Sequence, residues 1–466
     1  MPEPDQTLSR RGLLAGALAA GAAGALARVP GASAATTTAK PAAASAPAGA
    51  SAPAAAASAT TFFADPAINF ELLFALGAAA YGASEAGEVL TAFDRIHGRG
   101  DTCAAVFDEF LALGRTLRAR GDREQAAGRR ASARSSYLRA AMYLDQALFY
   151  TLASADPTRR HEGAVYREME AAWARAAALF RPRFESVRIP CARSHLPGWL
   201  LSPGGSTRRP TVILNNGSDA QNVDMFVYGG AAALERGWNA LIYEGPGQGS
   251  NLFLHNRPFI PDWERVVTPV VDWLRRQPGV DPRRISIVGQ SFGGYLVPRA
   301  AAFEHRLAAV VCDPGVVDAF KTWSAALPPS LLQLLDGGAR GRAEFNAIWN
   351  EIPKELPESE SFGIAKRAEI YGQGGGYEKL RLARKFALTR ELARRIDAPV
   401  AVLSPQLEQF FPGQSATLDD WLDGHARTLL EFTIAEGAQY HCEPMAPQLR
   451  NERVFDWLEA NARPVR

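Results

Sequence analysis

The sequence has few cysteines and almost no net charge. Only four of its 466 residues are cysteines, and no two form a Cys-x-x-Cys pair. This scarcity argues against a zinc cluster, a thioredoxin-like site or a small fold held by disulfides. Lys and Arg number 51 and Asp and Glu 49, and no basic run follows residue 40. Nucleic acid is therefore not an expected partner.

A membrane-spanning segment is also missing near the N-terminus. The apolar run Gly12–Leu26 is shorter than the roughly 20 residues that a transmembrane helix needs. It follows the twin-arginine pattern Ser9–Leu14 and precedes the small residues Ala32–Ala34, which suit a cleavage site. We expect residues 1–34 to be a signal peptide read by the twin-arginine export machinery. The mature protein should then be secreted or held in the periplasm or cell envelope, with no stable membrane insertion.

Composition divides the next 150 residues into two parts. Residues 35–61 are almost entirely Ala, Pro, Ser and Thr, which predicts a linker. In residues 62–183 apolar side chains recur at helical spacing among Ala, Arg and Glu, which predicts an α-helical N-terminal domain. A tandem helical repeat is disfavoured because no fixed period is present.

Residues 184–466 have the pattern of an α/β domain. Short β-branched runs alternate with helix-like stretches and Gly/Pro turns, which predicts a doubly wound, mostly parallel sheet with helices on both faces. Residues 317–396 interrupt this rhythm and are expected to form a helical lid insertion. The predicted strands are Val187–Cys191, Thr211–Asn215, Ala240–Tyr243, Ile285–Val288, Ala309–Asp313 and Val400–Leu403.

One serine has the setting of a nucleophile. Gly289–Gly293 matches the pattern Gly-x-Ser-x-Gly, which on its own occurs often by chance. Here the pattern follows the predicted strand Ile285–Val288 and precedes a predicted helix, Tyr295–Phe303. A sharp strand–turn–helix connection needs small flanking residues and exposes the serine between them. Ser291 is therefore the predicted nucleophile, and the alternative is an ordinary turn serine.

A serine hydroxyl needs a neighbouring base, and the chain has seven histidines. In this type of domain the base follows the nucleophile and the acid along the chain, which leaves His305, His425 and His441. His305 ends the helix after the turn, and His425 lies among polar residues, so both are expected at the surface. His441 follows the strand-like run Leu429–Ile434 and a loop, and it is the predicted base.

The acid that orients the base should follow the strand Val400–Leu403. The loop 404–413 contains one carboxylate, Glu408, which is the predicted acid. Asp397 precedes that strand and so lies at its wrong end. Asp419 and Asp420, which belong to the following helix, are expected to be solvated.

Two backbone amides should form the oxyanion hole. One is the amide of Phe292, which follows the nucleophile, and the other is expected from the loop Asn216–Asp219, where we assign Ser218. Asp219 could bind substrate, but it is interpreted as the cap of the next helix. Glu244–Gly249 resembles a phosphate loop yet lacks its lysine and spacing, so it is interpreted as a turn. No metal or cofactor is predicted.

These motifs together resemble the α/β-hydrolase superfamily, in a branch with an α-helical N-terminal domain. That branch includes 2,6-dihydroxypseudooxynicotine hydrolase and the fungal hydrolases that shorten polyketides. The resemblance implies a nucleophile at Ser291, a base at His441 and a helical domain that closes the pocket. The branch usually has aspartate where this chain has Glu408, and a glutamate can also orient the base. The matching motifs are Gly245–Gly249, Gly289–Tyr295, Phe410–Gly413 and Gly437–Cys442.

The function expected from these residues is that of a cofactor-free serine hydrolase. Its substrate would be an ester or an activated ketone of small or medium size, cleaved through an acyl-enzyme. An exopeptidase is an alternative, since Gly293-Gly294-Tyr295 also resembles prolyl-oligopeptidase-type peptidases, although their β-propeller is missing here. The second alternative is a protein of another class on the same fold, namely a lyase, a cyclase or a noncatalytic binder.

Overall fold

The computed structural model describes residues 61–465, and their centre is an eight-stranded sheet with helices on both faces. The predicted signal peptide, residues 1–34, and all of the predicted linker except Thr61 lie outside the described residues. The predicted α/β-hydrolase fold, with a mostly parallel sheet and a helical N-terminal region, is confirmed.

Within residues 61–183, the N-terminal region has five α-helices. Asp65 caps the first, since its carboxylate accepts hydrogen bonds from the amides of Ala67 and Ile68 at 2.9 and 3.0 Å. The fourth differs from a surface helix, because every residue from Ser136 to Leu148 is buried. The helices are α1 (Pro66–Gly77), α2 (Ala86–His97), α3 (Cys103–Ala126), α4 (Arg130–Phe149) and α5 (Glu162–Leu179).

The strands follow in the order β1-β2-β4-β3-β5-β6-β7-β8 across the sheet. The second strand pairs antiparallel with the first and the fourth, and all other neighbours are parallel. That second strand was not predicted, because it contains Pro197 and Gly198 and has no β-branched residue. The strands are β1 (Glu185–Cys191), β2 (Ser194–Leu201), β3 (Arg209–Asn215), β4 (Asn239–Tyr243), β5 (Val280–Gln290), β6 (Val310–Asp313), β7 (Val400–Pro405) and β8 (Arg427–Phe432).

Shorter helices connect the strands, and six of them lie between β6 and β7, where the lid insertion was predicted. None of the helices within residues 61–465 combines the length and the apolar character needed to cross a membrane. The helices are α6 (Asn222–Met225), α7 (Ala231–Glu235), α8 (Gly249–Phe253), α9 (Glu264–Leu274), α10 (Gly293–Ala301), α11 (Phe320–Ala326), α12 (Pro329–Gln333), α13 (Gly338–Trp349), α14 (Glu358–Ala368), α15 (Gly376–Ala383), α16 (Arg390–Ala393), α17 (Gln414–Trp421) and α18 (Pro447–Asn461).

Two apolar cores lie on opposite faces of the sheet. Val212 and Leu214 of β3 pack on one side, and Ile213 between them packs on the other, as the two-residue period of a strand requires. The first core also contains the buried residues of α1 to α5, and the second contains those of the insertion. The N-terminal helices therefore share one continuous core with the sheet.

Candidate active site

Ser291 stands on a tight turn between β5 and α10. Its φ is +58°, in the left-handed region that side chains rarely adopt. The flanking glycines are required by space, because a Cβ atom on Gly289 would overlap the Gly293 carbonyl. One on Gly293 would lie 2.7 Å from the Asn215 carbonyl oxygen. The turn therefore has the geometry of a nucleophile elbow and directs the hydroxyl into a cavity.

His441 lies on the loop between β8 and α18 and reaches the serine. Its Nε2 atom is 2.9 Å from Ser291 Oγ, and its backbone amide donates to the Gln409 side-chain oxygen at 3.3 Å. The next two residues, Cys442 and Glu443, have φ values of +59° and +48°. The loop thus turns sharply just after the histidine, whose side chain is 5% exposed.

Glu408 completes the hydrogen-bonded chain from the loop after β7. Its carboxylate oxygens lie 2.8 and 2.9 Å from His441 Nδ1. One of these oxygens also accepts hydrogen bonds from the amides of Phe410 and Phe411, both at 2.9 Å. The carboxylate is therefore fixed by its own loop, and the longer glutamate side chain reaches the histidine without strain on that contact.

The pKa of His441 reflects two opposing influences. Burial lowers it, whereas the negative charge of Glu408 and its hydrogen bond raise it, and Asp313 and Asp219 add smaller effects in the same direction. The attractions outweigh burial, so the pKa of His441 is raised above its ordinary value. The site thus favours the imidazolium that forms when the histidine takes a proton.

Two backbone amides next to Ser291 match the predicted oxyanion hole. Among residues 61–465, neither the amide of Phe292 nor that of Ser218 forms a hydrogen bond, and both residues line the cavity. Gly217 brings their loops together, since a Cβ atom on it would lie 2.7 Å from Ser291 Cβ and 2.8 Å from the Phe292 nitrogen. Both amides are therefore available to a negatively charged oxygen formed beside Ser291.

The cavity beside Ser291 and the open solvent at its mouth together contain about 1090 Å³ of empty space. Three parts of the chain form its wall: the loops of the sheet, helices α1 and α4, and the insertion. Aromatic rings dominate the lining that the last two supply, namely Phe70, Phe74, Phe149, Trp323 and Tyr371.

Several polar residues of this wall were not predicted. Helix α4 contributes Asp145 and Gln146, α1 contributes Glu71, and α14 contributes Arg367, which lies 2.7 Å from Glu71. A signal was present in the sequence, because Asp145 and Gln146 are adjacent polar residues inside the apolar stretch 140–150. Whether Glu71 of α1 and which of the four charged residues of α14 face the cavity depends on the packing of distant segments, which the sequence does not reveal.

The interpretation of Asp219 as a helix cap is wrong. Helix α6 is capped by Gln221, whose side chain and that of Asp224 form a reciprocal capping box. The Asp219 carboxylate instead accepts a hydrogen bond from the Ser218 hydroxyl at 2.6 Å and lines the cavity. The local sequence favoured the cap because Asp is a common capping residue, and the capping box two residues later took that role.

The other sequence assignments can also be located. His305 pairs with Asp397 at 2.8 Å on the surface, and neither belongs to the cavity wall. Asp420 and Asp419 make ion pairs with arginines outside the cavity. No group of three or more His, Cys, Asp or Glu side chains in the described residues is arranged to hold a metal ion.

Comparison with known proteins places this geometry in a family. Residues 221–457 match the family model of the alpha/beta hydrolases. The chain is also 31% identical over 418 residues to the 20-hydroxy-prefusarin hydrolase FUS2 of Gibberella moniliformis, a match that covers 85% of this chain and 97% of that protein. The chain belongs to the alpha/beta hydrolase family. It is a hydrolase, and the elbow, the histidine loop and the glutamate loop described above all lie within the matched residues.

Two further similarities cover most of this alpha/beta hydrolase. It is 27% identical to the hydrolase ORFZ of Pyricularia oryzae over 427 residues, which is 85% of this chain and 97% of that protein. Its fold is similar to the crystal structure of 2,6-dihydroxy-pseudo-oxynicotine hydrolase, with a TM-score of 0.60 at 20% identity, over 83% of this chain and 95% of the other. At 20% identity, the similarity to this crystal structure supports the fold and nothing further.

Proposed function

We propose that this alpha/beta hydrolase cleaves an ester, or an activated carbon–carbon bond next to a ketone, by nucleophilic catalysis at Ser291. The supporting observation is the unbroken chain of hydrogen bonds from Glu408 through His441 to Ser291, beside a cavity that can hold a small or medium molecule. This arrangement suits proton removal from a serine hydroxyl at neutral pH.

The first half of the reaction forms an acyl-enzyme. His441 Nε2 takes the Ser291 proton as Oγ bonds to the substrate carbonyl carbon, and the Phe292 and Ser218 amides donate to the resulting oxyanion. Collapse of this intermediate breaks the carbon–oxygen bond of an ester, and the leaving oxygen takes the proton from the imidazolium. A carbon–carbon bond breaks in the same way only when a carbonyl or an electron-rich ring stabilises the leaving carbanion.

The second half returns the serine. Water gives a proton to His441 and attacks the acyl carbon, and Ser291 leaves with the proton held on the imidazole. Glu408 keeps the Nδ1–H of His441 in place and stabilises the imidazolium in both halves. The walls supplied by α1, α4 and the insertion favour small and medium substrates over folded proteins.

Labelling with a fluorophosphonate probe tests the proposal directly. We expect one modified residue, Ser291, in the folded protein, and no modification after Ser291→Ala or His441→Ala. Ser324→Ala, which changes a serine outside the cavity, should label like the parent protein. Ser291→Ala should also lower kcat for 4-nitrophenyl esters by about 10⁴-fold or more. Folded protein that stays unlabelled at Ser291 would contradict covalent hydrolysis and favour a lyase, a cyclase or a binding protein.

We also propose that the protein is exported by the twin-arginine route. The supporting observation is the run of paired arginines, apolar residues and small residues within residues 1–34. In a bacterial host with this export system, the full chain should reach the cell envelope or medium in shortened form. The double substitution Arg10→Lys and Arg11→Lys should retain it in the cytoplasm at full length, whereas Arg28→Lys should not. Equal export of the paired-arginine variant would contradict this route.

A further inference from the structure

The cavity wall has a second polar cluster, away from the three residues of the proposed reaction. It consists of the carboxyl groups of Asp145 on α4, Asp224 on α6 and Asp219 on the loop after β3. We propose that this cluster binds an ammonium group of the substrate while its carbonyl carbon lies at Ser291. The inference rests on the proposed function and narrows the substrate to a carbonyl compound that carries a protonated amine.

Two of the three carboxyl groups, Asp145 and Asp224, are buried, and Asp219 beside them is partly exposed. Asp145 is 7% exposed and Asp224 is 4% exposed, and their side chains are hydrogen-bonded to each other. Asp224 also accepts a hydrogen bond from the Gln221 amide at 2.7 Å, and Asp219 accepts one from the Ser218 hydroxyl at 2.6 Å. Asp219 thus places the cluster directly beside the proposed oxyanion hole.

An unpartnered amide points to a missing ligand at the same place. Gln146 lines the cavity next to Asp145 and is only 6% exposed, and no hydrogen bond of its side chain is found among residues 61–465. The side-chain oxygen of Gln290, another cavity residue that is 4% exposed, is also without a partner. The Gln146 amide lines a largely aromatic cavity without a partner, and a substrate N–H group could donate to its oxygen.

The charges of the wall favour a cation. Arg367 is the one Lys or Arg among the described lining residues, and it is already paired with Glu71 at 2.7 Å and stacked on Phe410, 4.8 Å from the ring centre. No Lys or Arg of the lining pairs with Asp145, Asp219 or Asp224. Lys366, outside this lining, attracts Asp145 but is itself paired with Glu162 and Glu369. Neighbouring rings, such as those of Phe74 and Phe149, suit the alkyl groups and the charge of an organic ammonium.

The protonation of the free protein agrees with a cation site. Burial raises the pKa of Asp145 well above its usual range, and the nearby Asp224 raises it further. Burial also raises the pKa of Asp224 to about 6. The cluster therefore binds protons more readily than free carboxyl groups do, and a bound ammonium would supply the positive charge that such a proton supplies.

Binding of simple ligands tests the site without any reaction. In the full chain carrying Ser291→Ala, we expect calorimetry to show that n-hexylammonium binds at least about tenfold more tightly than 1-hexanol, because its hydrogen bonds to carboxylates are charged and those of the alcohol are neutral. Equal or weaker binding of the ammonium would overturn the inference.

Substitutions then locate the site. Asp145→Asn should weaken hexylammonium binding at least about tenfold and leave hexanol binding within about twofold. Asp219→Asn changes a loop residue and should also weaken hexylammonium binding. It provides the test if Asp145→Asn does not fold. Glu170→Gln is the matched control, because Glu170 is a half-buried carboxyl group that accepts hydrogen bonds from Trp199 and Asn222 outside this cavity. An unchanged preference for hexylammonium in both folded aspartate variants would refute the assignment.

Kinetics separate this inference from the proposed function. The parent protein should hydrolyse 4-nitrophenyl 6-aminohexanoate with a kcat/KM at least about tenfold above that for the equally long heptanoate. Hydrolysis without this preference would overturn the ammonium site and leave the serine hydrolase intact. Absence of fluorophosphonate labelling would instead contradict the proposed serine hydrolase activity. The comparison of hexylammonium and hexanol binding would still test the ammonium site.

A peptide amino terminus carries the same ammonium group, so one arm of the experiment identifies the source. A dipeptide 4-nitroanilide with a free amino terminus is compared with its N-acetyl derivative and with the amino ester. Cleavage of the amino ester alone indicates a small amino-substituted carbonyl substrate, and cleavage of the free dipeptide indicates an exopeptidase. Both results support ammonium recognition, whereas faster cleavage of the acetylated peptide than of the free one contradicts it.

Discussion

At the scale of single residues, the proposed reaction depends on how tightly each side chain is oriented. Glu408 illustrates this, because it holds His441 with both oxygens and is itself held by two amides of its own loop. A carboxylate fixed in this way favours one tautomer of the histidine and favours its protonated form. The same contacts determine how the activity should vary with pH.

Glu408→Gln should lower both the activity and the pKa of His441. In the parent protein the pKa of His441 is raised, so kcat/KM should fall on the acid side with an apparent pKa above about 6.5. The amide removes the charge that raises this pKa and leaves the burial that lowers it. We expect the acid limb to move below about 6.5, with kcat/KM reduced roughly 10²- to 10⁴-fold. The measurement is the pH profile of kcat/KM, and Glu431→Gln on the exposed side of β8 is the control. An acid limb that stays in place would contradict the role of Glu408.

At the scale of elements, the part of the site that follows local motifs could be predicted, and the part formed by tertiary packing could not. The elbow and the glutamate loop each follow a strand that is rich in Val and Ile, and the histidine loop follows the strand-like apolar run Leu429–Ile434. β2 was missed because it has no β-branched residue, and it joins the sheet by pairing with distant β4. The buried face of α4 was missed for a similar reason. Its spacing indicated an amphipathic helix, whereas the fold covers it on nearly all sides.

The loop after β3 makes a prediction about backbone position. Gly217→Ala should push this loop away from the elbow, since the added Cβ atom would lie 2.7 Å from Ser291 Cβ. We expect kcat to fall by about 10²-fold or more, as for loss of one oxyanion donor. Ser218→Ala keeps the backbone amide and should retain activity within about threefold. Steady-state kinetics of the two variants test this, and the reverse order of effects would exclude the proposed oxyanion hole.

The end of α1 packs against the loop that carries the base. Gly77→Ala would place a Cβ atom on the carbonyl oxygen of Pro444, three residues after His441. The overlap should destabilise the protein by about 1–3 kcal/mol and lower kcat/KM, because the displaced loop positions the histidine. Gly87→Ala on α2 has open space around it and should leave activity unchanged and stability equal or slightly higher. Denaturant midpoints and kinetics provide the test, and equal behaviour of the two variants would contradict it.

At the scale of the whole molecule, the helical region and the sheet behave as one packing unit. The core under α1 to α5 continues through β3, β4 and β5 into α18 without a break. Two regions joined by a continuous apolar core lose that core together when either unfolds.

We therefore expect a single cooperative unfolding transition in calorimetry of the full chain. The calorimetric and van't Hoff enthalpies should agree, as they do for two-state unfolding. Tryptophan fluorescence reports on both regions, since Trp173 belongs to α5 and Trp263 lies on the opposite face of the sheet. Its midpoint should coincide with that of circular dichroism. Two separated transitions would show that the helical region is independently stable.

The reacting residues and much of the cavity wall come from different parts of the chain, and this separation has a practical consequence. The reacting side chains come from loops at the edge of the sheet, while half of the wall comes from α1, α4 and the insertion. A protein engineer could therefore redesign substrate preference by exchanging wall residues on these helices and leave the chemistry untouched. Glu71 and Arg367 would have to be exchanged as a pair, since each neutralises the other across segments almost 300 residues apart. A library that varies only one of them would mostly contain proteins in which the remaining charged side chain lies in the cavity wall without its partner.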